Sequence, residues 1–311
     1  MTSIAKSPGK IILFGEHFVV YDNRAILGAI DKYATVTSEK TNTDNILISS
    51  SLGQTSIQKD EDESKIEKKF RPFFHIAKQL ISKNNFEKGI SIKIESDIPI
   101  GAGLGSSSAC CVAAAASISN LFNNTDEKEI LELAIEAEKT IFPNSSGADC
   151  TVSVYGGIIE YQRKKGFSKI STENEFHFMI IDSDQVHTTN KVVEQVKKFK
   201  EENEDIFSEL CSEEERLITK ALDSMKNNDL ETIGKCMAQN QIFLEQIGVS
   251  NDILLSIIKE VERITFGAKI TGAGDGGCII ALTQKDDDFS EYENTTKYQT
   301  HKVSIQKTGM Q

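Results

Sequence analysis

The chain has 311 residues, 39% of them apolar and 26% charged, enough for two ordinary domains or one large one with a core that needs no metal or disulfide staples. Its 35 Lys and Arg stand against 47 Asp and Glu, a net charge of −12. That balance argues against broad electrostatic binding to nucleic acid or to an anionic membrane, so any phosphate must be met by a locally built site.

Residues 1–50 read as strands. Ile11–Phe14 is a short apolar run behind a Pro-Gly turn, and Ala34–Ser38 and Ile46–Ser49 are rich in β-formers. Residues 1–30 show no basic segment followed by an apolar stretch and a cleavage site, so no signal peptide is expected. Residues 51–65 are polar and read as a loop or hairpin end. The spacing of Phe70, Phe74, Ala77 and Ile81 predicts a helix over 70–82, and the alternation of Ile90–Glu95 predicts a half-buried strand. A Gly/Ser loop at 101–108 leads into a helix ending near Leu121. A second helix is expected over 126–141, a turn at Ser145–Gly147, and a Gly-Gly turn entering a strand at 158–161. The stretch from Ile98 to Thr125 carries no charge, but its Pro/Gly-rich start and Ala/Ser/Cys body are too weakly apolar for a membrane span of about 20 residues. It reads as a buried helix of a soluble domain.

The polar segment Arg163–Glu175 divides the chain into 1–165 and 166–311. Beyond it the pattern predicts a strand at Phe176–Asp182 and helices near 189–204, 212–227, 229–246 and 250–263. Two strands, Ala268–Ile270 and Cys278–Leu282, flank a second Gly-rich loop at 272–277. The run Asp286–Asp288 reads as a solvated loop, and His301–Gln306 as a last edge strand. Cysteines at 110, 111, 150, 211, 236 and 278 form no CxxC pair and read as free thiols of a reducing compartment, so the expected location is cytoplasmic. Cys150 is either a small buried residue or a reactive thiol.

Four segments carry chemistry. Residues 99–109, Pro-Ile-Gly-Ala-Gly-Leu-Gly-Ser-Ser-Ser-Ala, run from strand through loop to helix. Glycines let backbone amides approach an anion, and the helix start adds unpaired N–H groups. The alternative is a plain Gly/Ser helix cap. On the helix 129–139, Glu138 falls within the apolar arc beside Leu131, Ala134 and Ile135. A buried carboxylate needs a positive partner, which a hard cation or a lysine would supply, unless it snorkels at the helix end. Asp149 follows a Ser-Ser-Gly turn, as a site acid or only as a helix-start residue. Lys10 enters the strand that ends at Gly15-Glu16-His17, as site chemistry or as a surface lysine and a satisfied histidine.

Taken together these segments resemble the GHMP kinase superfamily, most of all its mevalonate kinases of archaeal type. The matching motifs are Pro8–Tyr21 with its Gly-Glu-His-x-Val-Val run, Pro99–Ala109, and Lys269–Cys278. Glu138 and Asp149 stand between them at the family's spacing, and Asn240 and Ile247–Ser250 are similar too. The resemblance implies an α+β two-domain GHMP kinase fold, an N-terminal α/β domain and a C-terminal ferredoxin-like domain with the site between. It implies ATP-dependent phosphorylation of the mevalonate 5-hydroxyl, with ATP as co-substrate and Mg²⁺ as cofactor. Gly101, Ala102, Gly103, Leu104, Gly105, Ser106, Ser107 and Ser108 would hold the ATP phosphates, with Ser96 at the nucleotide. Ser107 and Glu138 would hold Mg²⁺. Asp149 would accept the hydroxyl proton beside Lys10, which would stabilise the transferring phosphoryl group. Glu16, His17 and Thr189 would contact mevalonate together with Lys10 and Asp149, and Gly272–Gly277 would approach the phosphates. Partners would be small molecules, with no nucleic acid and no membrane, and a homodimer as candidate assembly.

Three positions depart from the family pattern. Phe142-Pro143 stands where His-Gly is common, Ser145 replaces a proline, and Asp275 interrupts the third glycine run. Another GHMP kinase (phosphomevalonate kinase, mevalonate 3-kinase or homoserine kinase) is the alternative activity. A catalytically dead member is disfavoured by the presence of Lys10, Glu138 and Asp149.

Overall fold

The computed structural model describes residues 1–99, 101–185 and 189–311. In chain order the first half contains β1 (Thr2–Phe14), β2 (Ala25–Lys40), β3 (Asn45–Ser50), β4 (Gly53–Gln58), α1 (Arg71–Lys83), β5 (Ile90–Ser96), α2 (Ser106–Asn120), α3 (Glu127–Lys139), α4 (Ala148–Tyr155), β6 (Ile158–Gln162) and β7 (Gly166–Ile170). The second half contains β8 (His177–Asp182), α5 (Thr189–Glu202), α6 (Glu204–Lys226), α7 (Leu230–Gln246), α8 (Asp252–Val261), β9 (Gly267–Ile270), β10 (Cys278–Thr283), α9 (Ser290–Thr295) and β11 (Gln299–Ser304).

The long strand β2 organises the first sheet. It pairs antiparallel with β1 along its length, with β5 through residues 34–40 and with β6 through residues 25–28. β3 runs parallel to β5, and β4 and β7 close the two ends of the path β4-β3-β5-β2-β6-β7. On this sheet lies α2, whose residues Ser108–Ser119 are all buried. A helix buried on every side has no polar face to display, and its Ala, Ser and Cys side chains let it sit close on β1 and β2. The second sheet is antiparallel, in the order β11-β8-β10-β9, packed with α7 and α8 as the ferredoxin-like expectation requires. No helix among the described residues is long and apolar enough to cross a membrane.

Several elements differ from the pattern-based expectation. α4 begins at Ala148 with Asp149 in its first turn, in line with the helix-start reading of that residue, but the pattern gave it no extent, because six of its eight residues are buried and show no amphipathic period. β7 occupies the polar stretch taken as the boundary. It pairs with β6, so the first sheet extends to Ile170. α6 starts eight residues before the expected 212, through a charged first turn that suits the helix dipole. β4 completes a hairpin within 51–65, and the short α9 was not foreseen. The C-terminal residues return to the first sheet: Ile305 bridges Ile30, and Lys6 and Gln311 exchange two backbone hydrogen bonds of 2.9 Å.

α7 reaches β9 at a pair of glycines. A Cβ on Gly234 would stand 1.9 Å from the Phe266 carbonyl oxygen, and one on Gly267 would stand 2.4 Å from that of Gly234. Gly234→Ala therefore forces backbone apart. It is expected to cost roughly 1–3 kcal/mol despite the better helix propensity of alanine. Urea denaturation reads this directly, and an unchanged or higher midpoint would show that α7 and β9 are not so closely packed.

Candidate active site

β1 slips in register between Pro8, opposite Tyr33, and Lys10, opposite Ala29. Such irregularities re-aim side chains. Here the Lys10 N–H leaves the ladder and donates to the Leu104 carbonyl at 2.9 Å, which lays the Gly-rich loop directly over the strand. The loop can lie there only because Gly9 and Gly105 lack side chains. A Cβ on Gly9 would sit 2.9 Å from the Leu104 oxygen, and one on Gly105, at φ 72°, would sit 2.7 Å from Lys10 Cγ. Beneath the loop Lys10 Nζ donates to the Gly103 carbonyl at 3.0 Å and lies 3.3 Å from Asp149 Oδ2. The lysine side chain is 4% exposed and the aspartate 33%. The ammonium is thus fixed from behind while its carboxylate partner reaches solvent.

The loop ends at the N-terminus of α2. The first backbone bond of that helix runs from Ala109 N–H to the Gly105 carbonyl, 2.9 Å. The amides of Ser106, Ser107 and Ser108 have no intrahelical acceptor, and no acid occupies the first turn. Unpaired N–H groups at a helix start are a geometry that suits an anion.

Glu138 lies near the end of α3 and is 5% exposed. Ser108 Oγ donates to its Oε1 and Ser145 Oγ to its Oε2, with Cys150 Sγ 3.8 Å away. Burial pushes this carboxyl up and the nearby Asp149 charge pushes the same way, while the two hydroxyls and Lys10 oppose. Each oxygen keeps a further lone pair. A buried, repelled carboxylate beside hydroxyl groups has a donor set that suits a hard divalent cation. Asp149 reaches this cluster because Gly147, at φ 82°, turns the chain from α3 into α4 against Ile135.

The second glycine loop approaches from β9. Thr271 Oγ1 accepts from Ile12 N–H at 3.0 Å and donates to the Ile12 carbonyl at 3.1 Å. A Cβ on Gly272 would stand 3.7 Å from Gly103 Cα, so the two loops face each other. His17 Nε2 lies 2.7 Å from the Ala273 carbonyl. A carbonyl only accepts, so Nε2 carries the proton and Nδ1 keeps its lone pair. Burial drives His17 down to about 4, with the Lys269 charge adding to it, so the ring is neutral at pH 7. Its backbone sits at φ 62°, an uncommon conformation for a residue with a side chain. Glu16 forms a buried ion pair with Lys269. Burial pushes Glu16 up and Lys269 down, and their mutual attraction opposes both shifts.

The structure brings together Lys10, Gly103, Leu104, Gly105, Ser108, Glu138 and Asp149, with His17 at the adjoining loop. Ser107 is half-buried in the first turn of α2. Ser108, not Ser107, is the serine bonded to Glu138. Glu16 is turned away from solvent onto Lys269. Ser96 ends β5 and is exposed, its Oγ accepting from Ile98 N–H at 3.2 Å. Thr189 opens α5 and is exposed, with no hydrogen bond to the cluster among the described residues. Ile100 of the loop lies outside the described residues. Asp275 sits at φ 55°, a left-handed conformation that Asp tolerates, and its N–H donates to the Val249 carbonyl at 2.8 Å. Sequence reasoning missed Ser145 as a partner of Glu138, Thr271 as the clasp on β1, and Glu214. The last was readable: Glu214 falls in register with the apolar Leu210, Leu217, Ile218 and Ala221, the same signal that singles out Glu138.

Comparison with known proteins bears on the family and the fold. Residues 71–157 match the family model for the GHMP kinases N terminal domain, and residues 220–294 match that for the GHMP kinases C terminal. A mevalonate kinase of Archaeoglobus fulgidus is 35% identical over 280 residues, 90% of this chain and 92% of that one. A mevalonate kinase of Thermococcus sibiricus is 32% identical over 299 residues, 91% of this chain and 89% of its own. The crystal structure of the Methanococcus jannaschii mevalonate kinase superposes with a TM-score of 0.86 at 30% identity, covering 98% of this chain and 99% of that one.

A histidine held neutral by the fold makes its stability depend on pH. Its folded value lies below the unfolded 6.5, so its contribution is complete above pH 6.5 and is lost as pH falls toward about 4. Between pH 7 and pH 5 the wild type should lose about 2 kcal/mol more than His17→Gln, read from urea unfolding at each pH. Equal losses in the two proteins would mean that the ring is not held neutral.

Proposed function

The chain belongs to the GHMP kinase family, and we propose that it transfers the γ-phosphoryl group of ATP to the 5-hydroxyl of mevalonate, giving 5-phosphomevalonate for isoprenoid synthesis. The observation that carries this reading is the Lys10–Asp149 pair at 3.3 Å beneath a loop of free backbone amides. The relatives named mevalonate kinase, at 35% and 32% identity over nearly the whole chain, support the choice of alcohol. So does the Gly15-Glu16-His17-Phe18-Val19-Val20 run.

Phosphoryl transfer asks mainly for positioning and charge stabilisation. The amides of Gly101–Ser108 hold the phosphates from one side, Gly272–Gly277 approach from the other, and Ser96 lies toward the nucleoside. Asp149, the accessible partner of the pair, orients the acceptor hydroxyl and takes its proton as the new O–P bond forms and the bond to ADP breaks. Lys10 stays beneath, its ammonium placed for the charge on the transferring group. His17 offers Nδ1 to the acceptor, Glu16 holds His17 in place through Lys269, and Thr189 adds a contact from α5. Ser107 and Glu138 would hold Mg²⁺, which neutralises charge on the phosphate oxygens when bound. Six free thiols suit a reducing cytoplasm, and a homodimer is the assembly to test by sedimentation.

The reading is tested by ADP release with Mg-ATP against mevalonate, phosphomevalonate, homoserine and galactose, with the product position read by NMR. Mevalonate should turn over to the 5-phosphate. Turnover on another alcohol alone would keep the kinase and discard the substrate. Asp149→Asn should lower kcat by roughly 10²–10⁴-fold while ATP affinity stays near wild type; near-normal turnover would remove Asp149 from the proton transfer. Glu138→Gln should shift the Mg²⁺ titration to higher concentration, and an unmoved titration would remove Glu138 from the metal.

A further inference from the structure

Behind the Glu16–Lys269 pair lies a third buried ionisable group that phosphoryl transfer does not use. Glu214 on α6 is 0% exposed. Its Oε2 accepts from Asn240 Nδ2 of α7 at 2.8 Å, and the Gly15 backbone amide lies nearby. The groups facing it are Glu16 from the segment after β1, Lys269 from β9, Asn240 and Cys236 from α7, and Cys211 from its own helix, with Lys10 of β1 on the far side of Glu16. Two buried carboxyl groups therefore lie near one buried ammonium, and that ammonium is paired with Glu16. Three oxygens of the cluster, Glu16 Oε2, Glu214 Oε1 and Asn240 Oδ1, are buried with no donor among the described residues. Every one of them is an acceptor if both carboxyls are ionised, and buried acceptors without donors are costly.

α6 is also the platform for the segment that carries His17. Phe207 packs on Phe18 at 5.7 Å between ring centroids, the Cys211 carbonyl accepts from Asn23 Nδ2 at 2.7 Å, and Glu215 binds Arg24 Nε at 2.6 Å. Residues 207, 211, 214 and 215 share one helix face. We propose that Glu214 keeps its proton in the folded protein and acts as a neutral hydrogen-bonding bridge between α6 and α7, a positioning residue that steadies the α6 platform under Phe18, Asn23 and Arg24 and so sets His17 for the acceptor alcohol. One proton leaves Glu16 and Lys269 as a balanced pair and converts one orphaned acceptor into a donor. Burial, with the Glu16 charge adding to it, pushes the Glu214 carboxyl up to about 7. The role assigned to His17 rests on the kinase reading above; the protonation of Glu214 does not.

The test compares wild type with Glu214→Gln, which mimics the protonated acid, and Glu214→Ala, which removes the bridge. At pH 6.5 Glu214→Gln should keep the KM for mevalonate within about twofold, while Glu214→Ala raises it roughly tenfold with a smaller change in kcat. Above neutrality the wild-type KM should rise relative to that of Glu214→Gln. A readout without substrate is Tm against pH. The folded group binds its proton more tightly than the unfolded 4.5, so wild type loses stability as pH rises from 4.5 to about 7. Glu214→Gln cannot lose it, and its Tm relative to wild type should climb across that window. A Tm difference flat with pH, or a KM for Glu214→Gln raised as far as for Glu214→Ala, overturns the proposal; a water-satisfied cluster with both carboxylates charged gives those results. If wild type fails to phosphorylate mevalonate, the kinase reading falls while the Tm comparison still decides the proton.

Discussion

Everything at the site hangs on how Lys10 is held. An acidic chain that handles phosphates must meet them with a locally built site, and this lysine is fixed from three directions. The slip in β1 turns it out of the ladder, the Gly103 carbonyl accepts from its ammonium, and Asp149 lies across from it at 3.3 Å. The Gly-rich loop, the start of α2 and the start of α4 are thereby set relative to a single atom, Nζ. That is also why two glycines in different elements, Gly9 and Gly105, meet at this residue. A side chain on either would displace the loop or the lysine stem.

The second organising constraint is buried charge. Glu16, Lys269 and Glu214 are all removed from water where the two halves of the chain join. Burying charges costs more than their attraction returns unless the geometry is good. What the arrangement provides is a fixed register between β1 and β9: with Thr271 clasped on Ile12 and His17 bonded to Ala273, the two glycine loops face each other across the site. His17 tolerates its unfavourable backbone angle because the surroundings over-determine it. Phe18 is packed on α6, Arg24 is anchored to Glu160 and Glu215, and Gly15 lies where a Cβ would strike Arg24 and Ala25.

Much of this was legible in the sequence, and the limits have physical reasons. Alternation gave β5, helical spacing gave α1, and the Gly/Ser loop announced α2. A carboxylate in an apolar arc marked Glu138 correctly as buried. α4 escaped because a helix buried on all sides has no amphipathic period, and β7 because an exposed strand in a hairpin looks polar like a loop. The partners of Glu138 could not be read in full, since Ser145 meets it only through the fold of the α3–α4 turn. Which of three consecutive serines faces the carboxylate depends on the phase of α2, which spacing alone does not set to within one residue. Glu16 and His17 looked equivalent as neighbours. They diverge because a left-handed residue after Gly15 sends one side chain toward Lys269 and the other toward the Ala273 carbonyl.

The departures from the family pattern read differently once the contacts are known. A proline at position 145 has no hydroxyl, so the serine there adds a donor to a carboxylate that burial and Asp149 both penalise. Ser108 alone would satisfy one oxygen of Glu138; with Ser145 both are satisfied, and the carboxylate is oriented from two sides. Asp275 takes a backbone angle that glycine adopts freely and Asp tolerates, and the loop keeps its path through the bond to Val249. Asp275 changes a side chain on a loop that keeps its path, whereas Ser145 also adds a backbone donor that proline lacks, its N–H bonding the Phe142 carbonyl at 2.9 Å. Backbone, not side-chain identity, is what a cradle of amides needs, and so the loop at 272–277 can absorb an acid and keep its path.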